Sequence, residues 1–246
     1  MHIDGLTAII MIVVFASSLV RTVFGFGNAL VAMPLLALAG MEMKSATPLV
    51  ALVSLFLGIA ILLQNWKSID IRSAWRLLAA TAVGIPIGTI IVKSAYESVG
   101  EILLALIIIG FSGYALTRPK LIALKNDRLA YPFGFIAGIL GGAYNSNGPP
   151  VVIYGALRRW RPDELRATLQ GYFLPSSVII VAGHGLGGLW TPVVLHDLLL
   201  SLPAALVALL LGRRLHRMIT PGQFDRLIHA TLVVIGFLLL YKAVFA

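Results

Sequence analysis

Long apolar segments recur along the whole chain, and they restrict its fold more than any other feature. They occupy residues 6–20, 48–63, 77–92, 102–116, 193–211 and 231–241. A membrane-spanning helix needs roughly 20 mostly apolar residues, and only helices or closed barrels satisfy their backbone hydrogen bonds in lipid. Because the segments are continuous and do not alternate with polar residues, the sequence predicts an all-α, polytopic integral membrane protein.

The charged residues predict how the chain crosses the membrane. They make up 12% of the 246 residues, about half the fraction usual in soluble domains. Most of the Lys and Arg residues fall in four groups between apolar segments, at 67–76, 118–128, 158–166 and 213–226. Basic loops stay on the cytoplasmic side. We therefore expect a multi-pass protein of the cell (inner or plasma) membrane, surrounded by lipid, with both termini outside. The net charge of +9 then reflects topology, and no nucleic-acid partner is expected.

The chain repeats itself at about half its length. The matching pairs are Gly27 with Gly148, Ala46-Thr47 with Ala167-Thr168, Gly88 with Gly212, and IIIGF at 107–111 with VVIGF at 233–237. By the basic groups, the first half starts outside and ends inside, and the second half does the reverse. The sequence therefore predicts one transmembrane domain of two inverted-topology repeats, residues 1–125 and 126–246. Such repeats are typical of secondary transporters.

Each half opens with an interrupted apolar hairpin. The interruptions are GFGN at 25–28, between residues 6–24 and 29–39, and GGAYNSNGPP at 141–150, between residues 129–140 and 151–157. An arm of about 12 residues covers roughly 18 Å of a hydrocarbon core about 30 Å thick. These hairpins are therefore expected to be broken or re-entrant helices that meet inside the membrane. The alternative is that both interruptions are ordinary loops at the membrane surface, with their polar residues facing water.

Helices that begin inside the membrane favour an anion site. Their first N–H groups have no partner within the helix and carry a partial positive charge, and such helix starts bind anions. Pro149 and Pro150 fit the first turn of a helix that begins after Gly148. The candidate substrate-binding residues are Gly25, Gly27, Asn28, Asn145, Ser146, Asn147 and Gly148, together with Arg21, Tyr144 and Gln170. Arg21 is either a charge partner of the substrate or a side chain that snorkels to the cytoplasmic surface.

The interrupted segments carry a resemblance to a known family. FGFGNALVAMPLL at 24–36 and GGAYNSNGPPVVIYGALRRWRPDELRATLQGYF at 141–173 resemble the sulfite exporter TauE/SafE family, also described as the sulfonate uptake permease family. The resemblance covers essentially the whole chain and implies transport of sulfur oxyanions or organosulfonates. One departure is AYNSN at 143–147, where relatives often have a plainer glycine-rich turn. These side chains are expected to touch the ligand.

Other functional classes leave no pattern in the sequence. There is no cysteine, no GxxxxGK[ST] phosphate loop and no spacing of His or carboxylates typical of a metal site, so we expect no cofactor and no metal. The ten Asp and Glu residues are assigned to loops or segment ends, His184 and His196 to an outer loop, and His229 to the start of the last span. We therefore predict a secondary transporter of small sulfur-containing anions, not an enzyme. The alternatives are an anion-selective channel and a membrane enzyme or assembly factor. A homodimer is kept as a candidate oligomeric state.

Overall fold

The fold was obtained as a computed structural model, which describes residues 5–65, 71–93, 97–117, 124, 126–218 and 221–245. These residues form a 3-10 turn at Asp127–Leu129 and ten α-helices: α1 (Gly5–Phe24), α2 (Asn28–Leu38), α3 (Met43–Asn65), α4 (Ile71–Lys93), α5 (Glu97–Thr117), α6 (Ala130–Tyr144), α7 (Gly148–Leu157), α8 (Pro162–Leu186), α9 (Pro192–Met218) and α10 (Pro221–Phe245). The described ranges contain no strand. The prediction of an all-α protein is confirmed.

Six helices within the described ranges are long and apolar enough to cross a membrane: α1, α3, α4, α5, α9 and α10. They contain the six apolar segments, so the prediction of a multi-pass membrane protein is confirmed. The pattern did not reveal α8, which has 25 residues and is about 38 Å long. Its sequence includes Gln170, Ser176 and Ser177, and these polar groups interrupt the apolar pattern because α8 contributes to the interior site described below.

The same order of helices occurs twice. A first helix, a break and a shorter helix are followed by three long helices in α1–α5 and again in α6–α10, although α6 has 15 residues where α1 has 20. The fourth helix of each set packs along the first helix of the other, as α4 on α6 and α9 on α1, and α5 packs on α10. The two sets are therefore interlocked. Their opposite orientation in the membrane and their boundaries stay predictions, as does the placement of both termini outside.

Part of the charge pattern lies outside the described residues. This applies to the loop residues Lys67, Arg118, Lys120 and Lys125, and to the side chains of Arg72, Arg166 and Arg217. The described loop between α7 and α8 carries Arg158, Arg159 and Arg161. Arg158 also donates to the carbonyl oxygen of Leu124 at 3.0 Å, which holds the chain next to the C-terminal end of α7.

Glycine brings α4 and α6 into backbone contact. Gly84 and Gly88 on α4 face Gly134, Gly138 and Gly142 on α6, and a Cβ atom added at any of the five would collide with backbone of the other helix. Small residues allow this close approach between helices in membranes. In addition, Thr81 of α4 donates to the carbonyl oxygen of Gly134 at 2.9 Å. Packing against α4 therefore fixes the position of α6 and of the break that follows α6.

The structure corrects the placement of several ionisable residues. Glu101 and Asp197, assigned to segment ends, lie inside α5 and α9 and are buried. His184 does not lie in an outer loop: it is fully buried in α8, where Nε2 donates to the carbonyl oxygen of Gly142 at 2.8 Å. His196 also belongs to a helix, α9. Sequence periodicity does not separate a helix end from a loop, and burial depends on neighbours that are distant in the chain.

Glu101 is buried as one half of an ion pair. Its carboxylate lies 2.8 Å from Nζ of Lys242 on α10, and the same Nζ donates to the carbonyl oxygen of Ala37 at 2.7 Å. Ala37 is in the last turn of α2, where carbonyl groups lack partners within the helix and a cation is favourable. Lys242 therefore ties α10 and α5 to the C-terminal end of the short helix α2.

Candidate functional site

Glycine shapes the break between α1 and α2. Gly25 has φ 84° and Gly27 has φ 96°, a left-handed conformation that glycine adopts at no steric cost. The N–H of Gly25 still donates to the carbonyl oxygen of Arg21 at 2.7 Å, which closes the last turn of α1. The chain then turns at Gly27 and starts α2 at Asn28.

The break between α6 and α7 is shorter than the sequence indicated. Residues 141–144, which the sequence assigned to the interruption, complete α6, and the break is confined to 145–147. Asn145 ends α6 in the left-handed conformation, φ 52°. The N–H groups of Asn145 and Ser146 donate back to the carbonyl oxygens of Gly141 at 2.9 Å and Leu140 at 3.1 Å. These bonds satisfy carbonyl groups at the end of α6.

Both short helices start without a side-chain cap. Gly27, which has no side chain, precedes α2, and Asn147 precedes α7 without accepting a hydrogen bond from the first turn of that helix. The structure starts α7 at Gly148, one residue before the predicted start, and Pro149 and Pro150 lie in its first turn. The free N–H groups of the first turn of α2, the N–H of Gly148 and the dipole of each helix therefore present partial positive charge at the breaks, although Pro149 and Pro150 have no N–H to add.

The two breaks meet at one central cavity of about 30 Å³. That volume accommodates about two water molecules. Seven of the ten candidate residues line it: Arg21, Gly27, Asn28, Asn145, Ser146, Asn147 and Gly148. α3 contributes Ser54, and α8 contributes Phe173 and Ser177. Apart from Arg21, none of the lining residues is charged. The interruptions are therefore packed against each other and against α3 and α8, which does not fit the alternative of two surface loops.

Serine side chains from the long helices hold the break residues. Ser54 Oγ of α3 accepts hydrogen bonds from Nδ2 of Asn28 at 2.8 Å and from Nδ2 of Asn145 at 2.9 Å. One hydroxyl thus links both breaks. With both acceptor positions taken, its own hydrogen stays available to a ligand. Ser176 Oγ of α8 likewise accepts from Nδ2 of Asn147 at 2.9 Å. Sequence reasoning missed these serines, although a serine in an otherwise apolar helix was a usable signal.

Arg21 carries a buried positive charge without a carboxylate partner in the described part of the chain. Its side chain is 8% exposed, and Nε has no hydrogen-bond partner among the described atoms. The guanidinium lies 6.0 Å from the centre of the Phe173 ring, close enough for a weak cation–π attraction. A snorkelling side chain keeps its charged end in water, and this degree of burial does not fit that alternative. An unpaired buried charge is costly, and an anion in the cavity would compensate it.

Three candidate residues lie away from the central cavity. Gly25 and Gln170 line a neighbouring cavity of about 40 Å³, which also includes Arg21. Tyr144 lines neither cavity. It is 2% exposed within the hydrophobic core, because the last turn of α6 directs it towards α5, near Gly100. Its hydroxyl group has no hydrogen-bond partner in the described structure.

The arrangement is suited to hold an oxyanion. Two helix N-termini, three amide side chains and one arginine surround a space that no acidic residue of the described chain lines, and the N–H groups of these elements stabilise negative charge. Glu101 and Asp197 are not among the lining residues. Within the described ranges, no group of three or more His, Asp or Glu side chains is placed to hold a metal ion. Among the described residues, no nucleophile paired with a base lines the cavity.

Gly148 offers a steric test of the central cavity. A Cβ atom at this position would lie 3.5 Å from Phe173, an ordinary contact, so we expect Gly148→Ala to fold normally. The extra methyl groups of Gly148→Val would enter the cavity, and we expect it to fold but to lose transport almost completely. The measurement is anion uptake in proteoliposomes with thermal unfolding in detergent as the folding control. Wild-type transport by Gly148→Val would contradict the placement of the ligand.

Comparison with known proteins was consistent with a transport protein. The family model described as "Sulfite exporter TauE/SafE" matches residues 9–239. A protein of Cupriavidus necator named "Probable sulfite/organosulfonate exporter TauE" is 26% identical over 240 residues, which cover 94% of this chain and 92% of that protein. No solved structure matches the chain.

Proposed function

Because the chain belongs to the sulfite exporter TauE/SafE family, we propose that it is a secondary transporter that moves small sulfur-containing anions, sulfite or organosulfonates, out of the cell. The name of the Cupriavidus necator relative, a probable sulfite/organosulfonate exporter, supports this substrate class and direction. In this proposal the anion binds in the central cavity, between the start of α2 and the start of α7. The protein belongs in the cell (inner or plasma) membrane, with both termini outside.

The observation that carries the proposal is the buried charge of Arg21, which has no carboxylate partner among the described residues, beside two uncapped helix starts. A sulfonate or sulfite group has three oxygen atoms that accept hydrogen bonds. Arg21, Asn28, Asn147 and the starts of α2 and α7 all line the same space. The first turn of α2 offers several N–H groups there, whereas α7 offers only that of Gly148, because Pro149 and Pro150 have none. Hydrogen bonds between an oxyanion and charged or backbone donors are stronger than neutral ones. The site would therefore bind an anion without a co-bound cation.

The doubled order of helices supports a carrier mechanism. In transporters built from inverted repeats, the two repeats move relative to each other around a site at the membrane midplane. Here the central site is shared by both sets of helices, since Asn28 and Asn145 bond to the same hydroxyl of Ser54. We propose that rocking of α1–α5 against α6–α10 opens this site alternately to each side. Such a carrier saturates with substrate, whereas an anion channel conducts without saturating at modest concentrations.

We expect transport to be electrogenic and independent of a co-transported proton. No carboxylate among the described residues lines the proposed site. Of the two buried acids, Glu101 is already paired with Lys242, and Asp197 lies away from the central cavity. A membrane potential contributes about 2.3 kcal/mol per charge per 100 mV. With the inside negative, about 100 mV drives a monovalent anion outward by roughly 40- to 50-fold, since 1.4 kcal/mol is a factor of ten. Export therefore requires no second ion, and the measurement is sulfite flux in proteoliposomes under a potassium diffusion potential.

The same assay separates the alternatives. Equal pH on both sides removes any proton gradient, and empty liposomes give the background leak. Saturable flux that reverses with the potential supports an electrogenic carrier. If the flux ignores the potential and follows a pH gradient, proton coupling replaces electrogenic export, and buried His184 and His229 become the first residues to substitute. Absence of flux for both sulfite and a small organosulfonate would refute the proposed function.

A further inference from the structure

The second cavity is continuous in its lining with the central one. It has a volume of about 40 Å³ and shares Arg21 and Phe173 with the central cavity. Its remaining lining residues are Gly25, Gly58, Ile61, Gln170 and Leu174. The guanidinium of Arg21 therefore borders two spaces at once, and the Phe173 ring, 6.0 Å from it, lies at their boundary.

Two antiparallel helices show in which direction the second cavity lies. On α3, Ser54 lines the central cavity, whereas Gly58 and Ile61 line the second one. On α8, Ser177 lines the central cavity, whereas Gln170 lines the second one. The second cavity therefore lies one to two helical turns, about 5–10 Å, from the central cavity. The direction is towards the end of α3 and the start of α8. Both of these helix ends adjoin basic groups of the sequence, at 67–76 and 158–166.

We propose that the second cavity is an additional anion subsite on the transport path, between the basic loops and the central site, and that Arg21 serves both subsites. This inference rests on the proposed function. An anion arriving from the basic side would first meet the amide of Gln170 and one side of the Arg21 guanidinium. It would then pass Phe173 into the central cavity while still bound to Arg21. One unpaired cation at the junction thus stabilises the anion in both positions.

The packing around Arg21 leaves room for the guanidinium on the side of the second cavity. Gly58 faces it, and a Cβ atom at this position would lie 3.5 Å from Nη2 of Arg21 and 3.3 Å from Leu174. The second of these distances is tighter than ordinary van der Waals contact, so a side chain at residue 58 would narrow the second cavity. Absence of a side chain at Gly58 leaves that space open beside the charge.

Cysteine labelling tests the subsite directly, since the native chain contains no cysteine. Leu174→Cys and Ile61→Cys place a thiol in the second cavity. Val178→Cys is the matched control, because Val178 lies on the same helix as Leu174, is 50% exposed and lines neither cavity. The probes are an anionic sulfonatoethyl methanethiosulfonate and its cationic trimethylammonium analogue, applied to the full-length protein from the side of the basic loops. Only a hydrated thiol ionises and reacts.

The two cavity thiols are expected to react with the anionic probe on the order of ten-fold faster than the lipid-facing control thiol. The ratio of anionic to cationic rates is expected to fall by about five-fold or more when Arg21→Gln is added, since even in water a charge at about 4 Å has that effect. If one cysteine variant does not fold, the other gives the same test.

The inference is overturned if the cavity thiols react no faster than the control thiol. It is equally overturned if both probes react alike whether or not Arg21 is present. These outcomes are independent of the proposed substrate. Charge-selective labelling that depends on Arg21, found together with no sulfite or organosulfonate flux in the wild type, would support the anion subsite and reject the proposed function.

Discussion

Replacing Arg21 by glutamine is expected to lower sulfite or organosulfonate transport by roughly 10- to 150-fold. A hydrogen bond to a charged group contributes about 1.5–3 kcal/mol, and each 1.4 kcal/mol is a factor of ten in affinity. Arg21 is the charged residue that lines the central cavity, and glutamine keeps a donor there but removes the charge. The measurement is initial flux in proteoliposomes at substrate concentrations below half-saturation.

Removing the charge of Arg21 is expected to stabilise the fold, although it weakens transport. Arg21 is buried without a carboxylate partner in the described structure, and an uncompensated buried charge destabilises the fold. We therefore expect Arg21→Met to raise the free energy of unfolding of the substrate-free protein by about 1 kcal/mol or more. Stabilisation by added substrate, about 2.7 kcal/mol at a hundred times the dissociation constant in the wild type, should fall to about 1.4 kcal/mol or less at the same concentration.

Two further variants define the role of Arg21. Arg21→Lys keeps the charge but loses the planar fork that holds two oxygens, so an intermediate flux is expected. Arg128→Gln is the matched control, because Arg128 is exposed outside both cavities, and it should transport like the wild type. If Arg21→Gln transports like the wild type and Arg21→Met is no more stable than the wild type, Arg21 does not contribute to anion binding.

Replacing Gly138 by valine is expected to prevent α4 and α6 from packing. A Cβ atom there would collide with the carbonyl oxygen of Thr81 and with Gly84, and both are backbone of α4. Backbone atoms cannot rotate away as a side chain does, so the helices must separate. Overpacking of a core costs about 1–3 kcal/mol and in some cases more, and we expect at least the upper end of that range. The measurement is thermal unfolding in detergent, together with the yield of monodisperse protein.

Gly110→Ala is the matched control for this prediction. Gly110 is also inside a membrane-spanning helix, α5, but a Cβ atom there would meet nothing within 4 Å. Alanine favours helix over glycine by about 1 kcal/mol, so this variant should be as stable as the wild type or slightly more stable. A Gly138→Val protein with wild-type unfolding temperature would show that α4 and α6 do not depend on glycine contact.

The sequence by itself determined the class of fold and the location of the breaks. Continuous apolar segments require membrane helices because lipid offers no partner to an exposed backbone group, and α1, α3, α4, α5, α9 and α10 follow from them. Pro149 and Pro150 marked the start of α7. The N–H groups of a first helical turn have no partner within the helix, so proline, which has no N–H, is tolerated there. Local signals of this kind depend only on neighbours in the chain.

The tertiary structure alone decided which polar groups meet. Ser54 lies 26 positions from Asn28 and 91 positions from Asn145, yet it bonds to both. Burial of Arg21 without a partner depends on where α3 and α8 pass, and the same packing directs Tyr144 into the core and separates Gln170 from the central cavity. Periodicity places a residue on a helix, but only the packing of distant helices determines whether that residue faces lipid, another helix or a cavity. The helix starts were therefore visible in the sequence, and Arg21 was a candidate there, but only the packing decided that its charge is buried beside the breaks.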